Sequence, residues 1–169
     1  MTLLEELAAN TETAREAIAS ATDLTQVAQH LAQEKAQQAA GLGAHGVAAT
    51  ILGVCHQFEA ITASLSTARG AVEQAVSGLA EITHGMGTDE VVARLDPGIC
   101  QLAQVAAAVD AATGNAHQAV EHARQADIDS LTASAMSVLD ALSGAWRTVD
   151  EARSAAEAYR QRIDALAKG

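Results

Sequence analysis

Two stretches of the chain carry apolar residues at strict intervals of three and four. The first runs Ala44, Val47, Ile51, Val54, Phe58, Ile61, Leu65, Ala68, Val72, Ala75, Leu79, Ile82. The second runs Leu131, Ala135, Val138, Leu142, Ala145, Val149, Ala152, Ala156, Tyr159, Ile163, Leu166. Such spacing holds one stripe of a helix against a partner helix, so it predicts long packed helices over about 44–84 and about 130–167.

The other two segments carry a less even pattern. Leu4, Leu7, Ala14, Ile18 and Ala21 share a face, but Leu24 follows Ala21 by three where four is due. Asp23 and Gln26 have capping-box spacing, so a first helix over about 2–40 is expected to break or overwind at 20–23. Gly41-Leu42-Gly43 then ends it, glycine being the usual left-handed residue past a helix C-terminus. A third seam runs Val92, Leu95, Ile99, Leu102, Ala106, Val109, Thr113, Ala116, Val120, Ala123. Thr88 is the expected N-cap, with Asp89 and Glu90 in the first turn. Asp96-Pro97 falls inside this segment, so over 88–126 the helix either starts anew or kinks at 96–97. Asp127–Ser130 forms the last turn, capped by Asp129 or Ser130.

The expected fold is all-α. It is an antiparallel four-helix bundle made of two long helical hairpins joined at Gly85–Gly87, with coiled-coil-like, alanine-rich packing. The 169 residues suit a single domain, 1–169. Moving from Val47 to Leu131 superposes the second seam on the fourth, and Ala68-Arg69-x-Ala71-x-Glu73 then meets Ala152-Arg153-x-Ala155-x-Glu157. A hairpin repeat, 1–84 and 88–167, is therefore an expectation too.

Composition adjusts this picture. Half the residues are apolar (49 %), yet the chain has one Phe, one Trp and one Tyr. Alanine-faced helices approach closely but bury little area each, so length must supply the core. Ten basic residues against 21 acidic ones give a net charge of −11. That opposes nucleic acid, whose binding needs phosphate-neutralising basic patches, and anionic membrane surfaces. No apolar run reaches the ~18–20 residues of a membrane span, so no membrane insertion is expected. The acidic start, Met1-Thr2-Leu3-Leu4-Glu5-Glu6, is unlike a Sec signal peptide, and Cys55 and Cys100 are too few for a disulfide framework. A cytoplasmic location is expected, with leaderless export left open.

With Phe58 as heptad position a, Cys55, Val76, Leu139 and Trp146 all fall at e, the edge of an a/d/e buried face. The candidate metal pairs are His56-x-x-Glu59 and Glu81-x-x-His84, the second having the Glu-x-x-His spacing of di-iron bundles. In this frame both histidines fall at f, Glu59 at b and Glu81 at c, so all four point outward. The two histidines would lie roughly 40 Å apart along one helix. The corresponding positions of the last helix are Asp140 and Lys168, so the motif does not recur. His117 and His122 point in different directions, His30 and Glu34 form a helical surface pair, and His45 follows the glycine turn. A solvated face, with no metal and no cofactor, is the expectation. Gly41-x-Gly43 and Gly85-x-Gly87 follow no strand and lack the Lys-Ser/Thr of a phosphate loop.

No catalytic motif emerges. The expected function is a non-catalytic helical scaffold or protein–protein interaction protein, which binds a partner or self-associates. Trp146 is either its interaction anchor or a space-filler at the core edge. The alternative is a carrier that holds a small molecule or metal in, or at the mouth of, the core.

Overall fold

The structure, a computed structural model, describes residues 2–169. Four helices account for nearly all of them: α1 (Leu3–Gly41), α2 (His45–Ala80), α3 (Thr88–Gln125) and α4 (Asp129–Lys168). With 36 to 40 residues each, they are about 55–60 Å long. Each helix packs on two others: α1 on α2 and α4, α3 on α2 and α4. The diagonal pairs do not meet, so the section is a square. Leu79, late in α2, packs on Gly98, early in α3, while His122, late in α3, lies over Gly53, early in α2. These two helices therefore run in opposite directions.

α1 is unbroken through 20–23, contrary to the sequence pattern. Its buried seam is Leu7, Thr11, Ala14, Ile18, Ala21, Thr25, Ala28, Ala32, continuing to Ala36 and Ala39. The 3-4 spacing holds from Leu7 to Ala32 because two threonines stand where large apolar residues were sought. Their hydroxyls donate to the carbonyls of Leu7 and Ala21, each at 2.7 Å. A back-bonded threonine brings no unsatisfied donor into the core and leaves its methyl to pack. Leu24 and Val27 are thereby exposed. The capping box is at the true start of the helix: Thr2 Oγ1 accepts from the Glu5 backbone N–H, and Glu5 accepts from that of Thr2. Asp23 and Gln26 are mid-helix and cap nothing.

α3 is likewise one helix with Pro97 inside it, so no new helix starts at 96–97. Seven of the ten expected seam residues, Leu95, Leu102, Ala106, Val109, Ala116, Val120 and Ala123, are buried, and the core side widens toward the positions on one flank. Val91, Gly98, Val105, Ala112 and Ala119 are buried, while Val92, Ile99 and Thr113 are only half-buried beside them. Gly98 is there because the side chain of Leu79 fills its place. A β-carbon at 98 would lie 3.0 Å from one Leu79 methyl carbon. At this point the absence of a side chain lets α2 and α3 approach closely.

The turns follow local chemistry. At the end of α1, Gly43 has a positive φ of 78°. The Gly43 N–H donates to Ala40 O and the Ala44 N–H to Ala39 O, the two bonds of a Schellman motif. Asp127 takes the same left-handed role after α3, at φ 56°. Gly87 precedes α3 as its N-cap and Ile128 precedes α4 as its N-cap, so Thr88, Asp129 and Ser130 lie within the helices they were expected to cap. α2 stops at Ala80, four residues short of the expected end.

The core divides along the bundle. A long cluster centres on Phe58, Ile61, Leu65, Val138 and Leu142. A smaller one, Leu7, Leu79, Ile82, Val91, Leu95 and Ile163 among others, holds the 81–87 connection against the end of the bundle. An Arg160 ion pair with Asp96, Nε to Oδ1 at 2.8 Å, joins α4 to α3 at that end, and the same guanidinium also pairs with Asp164. The two carboxylates hold Arg160 further above its ordinary pKa, mainly through the hydrogen bond to Asp96.

Candidate functional site

The helix register assigns each groove its residues. Leu3, Glu6 and Asn10 of α1 share a groove with Asp150, Glu151 and Ala155 of α4, an acidic surface. Asp110 and Thr113 of α3 share one with Ser143 and Trp146 of α4. Trp146, 40 % exposed, stands at the lip of this α3/α4 cleft of about 220 Å³. Position e put it at the edge of the buried face, and the structure places it there, half outside.

Of its neighbours on α4, the heptad frame put Leu139 at the same position e but did not single out Met136. Met136 is exposed and Leu139 is half-buried against the core, and both lie on the stripe of Ser143 and Trp146 by three- and four-residue steps. The signal was present in the Met136–Leu139–Ser143–Trp146 spacing, but it lay beside a much stronger a/d seam. The cleft is also less polar than its composition. Thr113 Oγ1 donates to Val109 O at 2.8 Å and Ser143 Oγ to Leu139 O at 3.0 Å. Both hydroxyls are turned back on their own helices, which leaves the Asp110 carboxylate as the charged group of the cleft.

The histidine–glutamate pairs lie apart from this site. His56 Nδ1 is 3.6 Å from a Glu59 carboxylate oxygen, and both side chains are well exposed. Glu81 is the C-cap of α2 and pairs with Arg94 of α3. His84 follows in the connection, exposed, and borders a groove with Leu4, Tyr159 and Arg162. Glu81 and His84 thus are not neighbours on a helix, because the helix has already ended. Among the described residues no three His, Cys, Asp or Glu side chains gather as a metal set needs. His122 is held between α2 and α3 with its Nδ1 enclosed and unpartnered over Gly53.

No known family model matches the chain, and neither does any curated protein or solved structure. The site therefore rests on its own geometry. Arg69 and Arg153, which the shift of the second seam onto the fourth brings together in sequence, differ in setting: Arg69 pairs with Glu73 at 3.4 Å on an exposed face, whereas Arg153 has its Nε enclosed without a partner.

The two cysteines are free and unlike. Cys55 is buried, and burial first, with the nearby Glu59 charge second, pushes its thiol pKa up. Cys100 is exposed. A thiol attacks a disulfide reagent as its thiolate, expelling the reagent's other sulfur as a thiolate, and only where the reagent reaches it. A disulfide reagent at mildly alkaline pH is expected to modify Cys100 quickly and Cys55 only after denaturant is added. Two equally fast thiols in the native protein would contradict the burial of Cys55.

Proposed function

We propose that the protein is a non-catalytic helical scaffold that binds a protein partner across the α3/α4 face, with Trp146 as the anchor. The observation that carries this reading is a half-exposed tryptophan at the lip of a cleft whose hydroxyls are already satisfied. Tryptophan is over-represented among residues that dominate binding energy, above all where neighbours exclude water around it. Met136 and Leu139 extend the apolar contact along α4. Two antiparallel ridges flanking a groove suit an amphipathic helix, whose anchors recur every three or four residues. Asp110 favours a partner with a basic residue beside its apolar face, and the chain's net charge of −11 favours a basic partner generally.

The α1/α4 and α3/α4 clefts described above are open surface grooves lined by exposed and half-buried residues. They suit a side chain of another protein better than a small molecule, which pockets mostly enclose. No helix of the described chain is long and apolar enough to cross a membrane.

The test uses the single tryptophan. Partner binding is expected to blue-shift Trp146 emission by removing it from water, and Trp146→Ala is expected to weaken capture of that partner at least about tenfold. The variant's thermal melt should change little by comparison. Undiminished capture by the variant, from the host's own extract, would overturn this reading.

A further inference from the structure

The α1–α2 turn carries a feature that the Trp146 reading leaves unused. Leu42 is 86 % exposed, more than any other large apolar residue among those described. It does not hang from a slack loop. It is the C-cap of α1 with helical dihedrals, followed at once by the two Schellman hydrogen bonds to Ala40 O and Ala39 O. A leucine fixed in water on an ordered turn gains nothing for the monomer's core.

Beside it lies a groove between the last turns of α1 and the first turns of α2. Gln33, Ala36, Gln37, Ala40, Ala48 and Leu52 line it, and its volume is about 270 Å³. That is below the roughly 300–1,000 Å³ of pockets for drug-sized ligands, and its surface is mostly hydrocarbon, so an aliphatic side chain fits it better than a small molecule. Leu52 stands half out of the groove as a wall.

Charge narrows the occupant. Residues 36–58 contain no Asp, Glu, Lys or Arg, in a chain of net charge −11. Like charge keeps copies of such a protein apart over most of its surface. The α1–α2 end is where two copies meet without that repulsion. The α3–α4 turn at the same end carries Asp127 and Asp129, which steers the approach to the α1/α2 side. One tip therefore holds both a knob and the hole that fits it. A two-fold axis brings each knob to the other copy's hole and closes the assembly at two chains.

We propose that two copies of the chain associate tip to tip, with Leu42 of each copy seated in the α1/α2 groove of the other. The contact is one turn and one groove end, smaller than the roughly 800 Å² per partner of a standard interface. The dimer is therefore a reversible one that grows with protein concentration.

Sedimentation equilibrium of the full chain over a wide concentration range tests this. The wild type is expected to move from monomer towards dimer and no further. Leu42→Glu and Ala40→Glu, both at exposed positions, are each expected to weaken the dimer at least about tenfold, as truncation of an interface anchor does. Their helical content and melting should match the wild type, which separates loss of contact from loss of fold. Trp146→Ala should leave the dimer constant unchanged, so failure here and failure of the α3/α4 reading are distinguishable. A wild type that stays monomeric at every concentration overturns the proposal, as does a dimer that survives both glutamate substitutions.

Discussion

Phe58→Ala lowers the stability of the bundle by about 3–5 kcal/mol, the range for removing a buried aromatic side chain. Phe58 is the bulkiest of the fully buried side chains and lies in the long core cluster. The cost has two parts: lost transfer energy and the cavity left behind. The second part is large here because the facing seams have little to offer. From Ala21 to Ala39 the α1 seam contains only Ala and Thr. Such side chains are too short to reach into the space, and their helix backbones are held by close mutual approach. The upper half of the range is expected. For a domain of this size the melting temperature should fall by roughly 6–20 °C. A calorimetric loss of under about 1 kcal/mol, the size of a surface effect, would mean that Phe58 is not in a packed core.

The second large effect separates two registers of α1. Thr25→Lys is expected to cost about 3 kcal/mol or more, because it sets an unpaired ammonium where the native side chain has no solvent exposure. The neighbouring Leu24→Lys is expected to stay within about 1 kcal/mol of the wild type, since Leu24 is already 42 % exposed and a lysine there reaches water. Urea midpoints at equal m-value measure both. The order is the reverse of what hydrophobicity alone suggests, a leucine tolerating charge better than a threonine. Equal losses, or a larger loss at Leu24, would show that the helix presents its leucines inward.

That pair of residues also shows why part of the fold was readable in the sequence and part was not. The seams of α2 and α4 were legible because Ile51, Val54, Phe58, Leu65, Leu131, Leu142 and Val149 are both large and central. In α1 beyond Ile18 the seam is only Ala and Thr, and in α3 it takes in Gly98, Ala112 and Ala119 beside Leu95, Leu102 and Val109, with Leu24, Val27, Val92 and Ile99 on the flanks. A pattern weighted by bulk then drifts toward the flank. In α1 the drift appeared as a break at 20–23, and in α3 as the choice of Val92, Ile99 and Thr113 over Val91, Gly98 and Ala112. Close approach of helix axes requires small residues at the line of contact, and no property of one helix alone says that its partner will come so near. Pro97 left open a new start or a kink within one helix, and the structure has one helix. Its ring favours a helix start, but tertiary packing on both sides holds the helix through it.

The candidate site divides in the same way. The outward direction of His56 and Glu59 followed from register, and the structure agrees. Glu81 and His84 are outside too, but because α2 ends at Ala80 and Arg94 takes Glu81 from across the connection. A helix end without Gly or Pro at the stop is set by what packs over it. Here that is the small cluster around Leu79, Ile82 and Val91.

What the sequence determined by itself is the helical class, the number of helices, the two seams built from large residues and the charge-free stretch around the first turn. These depend on periodicity, propensity and charge along one chain. The tertiary structure decided how the inner face of α1 continues past Ala21, which positions complete that of α3, where α2 stops, and that Thr11 and Thr25 belong to the core. It also decided that Leu42 stands beside an apolar groove and that Trp146 shares a cleft with Asp110. Each of these depends on how near a second helix comes. That distance is a property of pairs of surfaces, so it is written in neither helix alone.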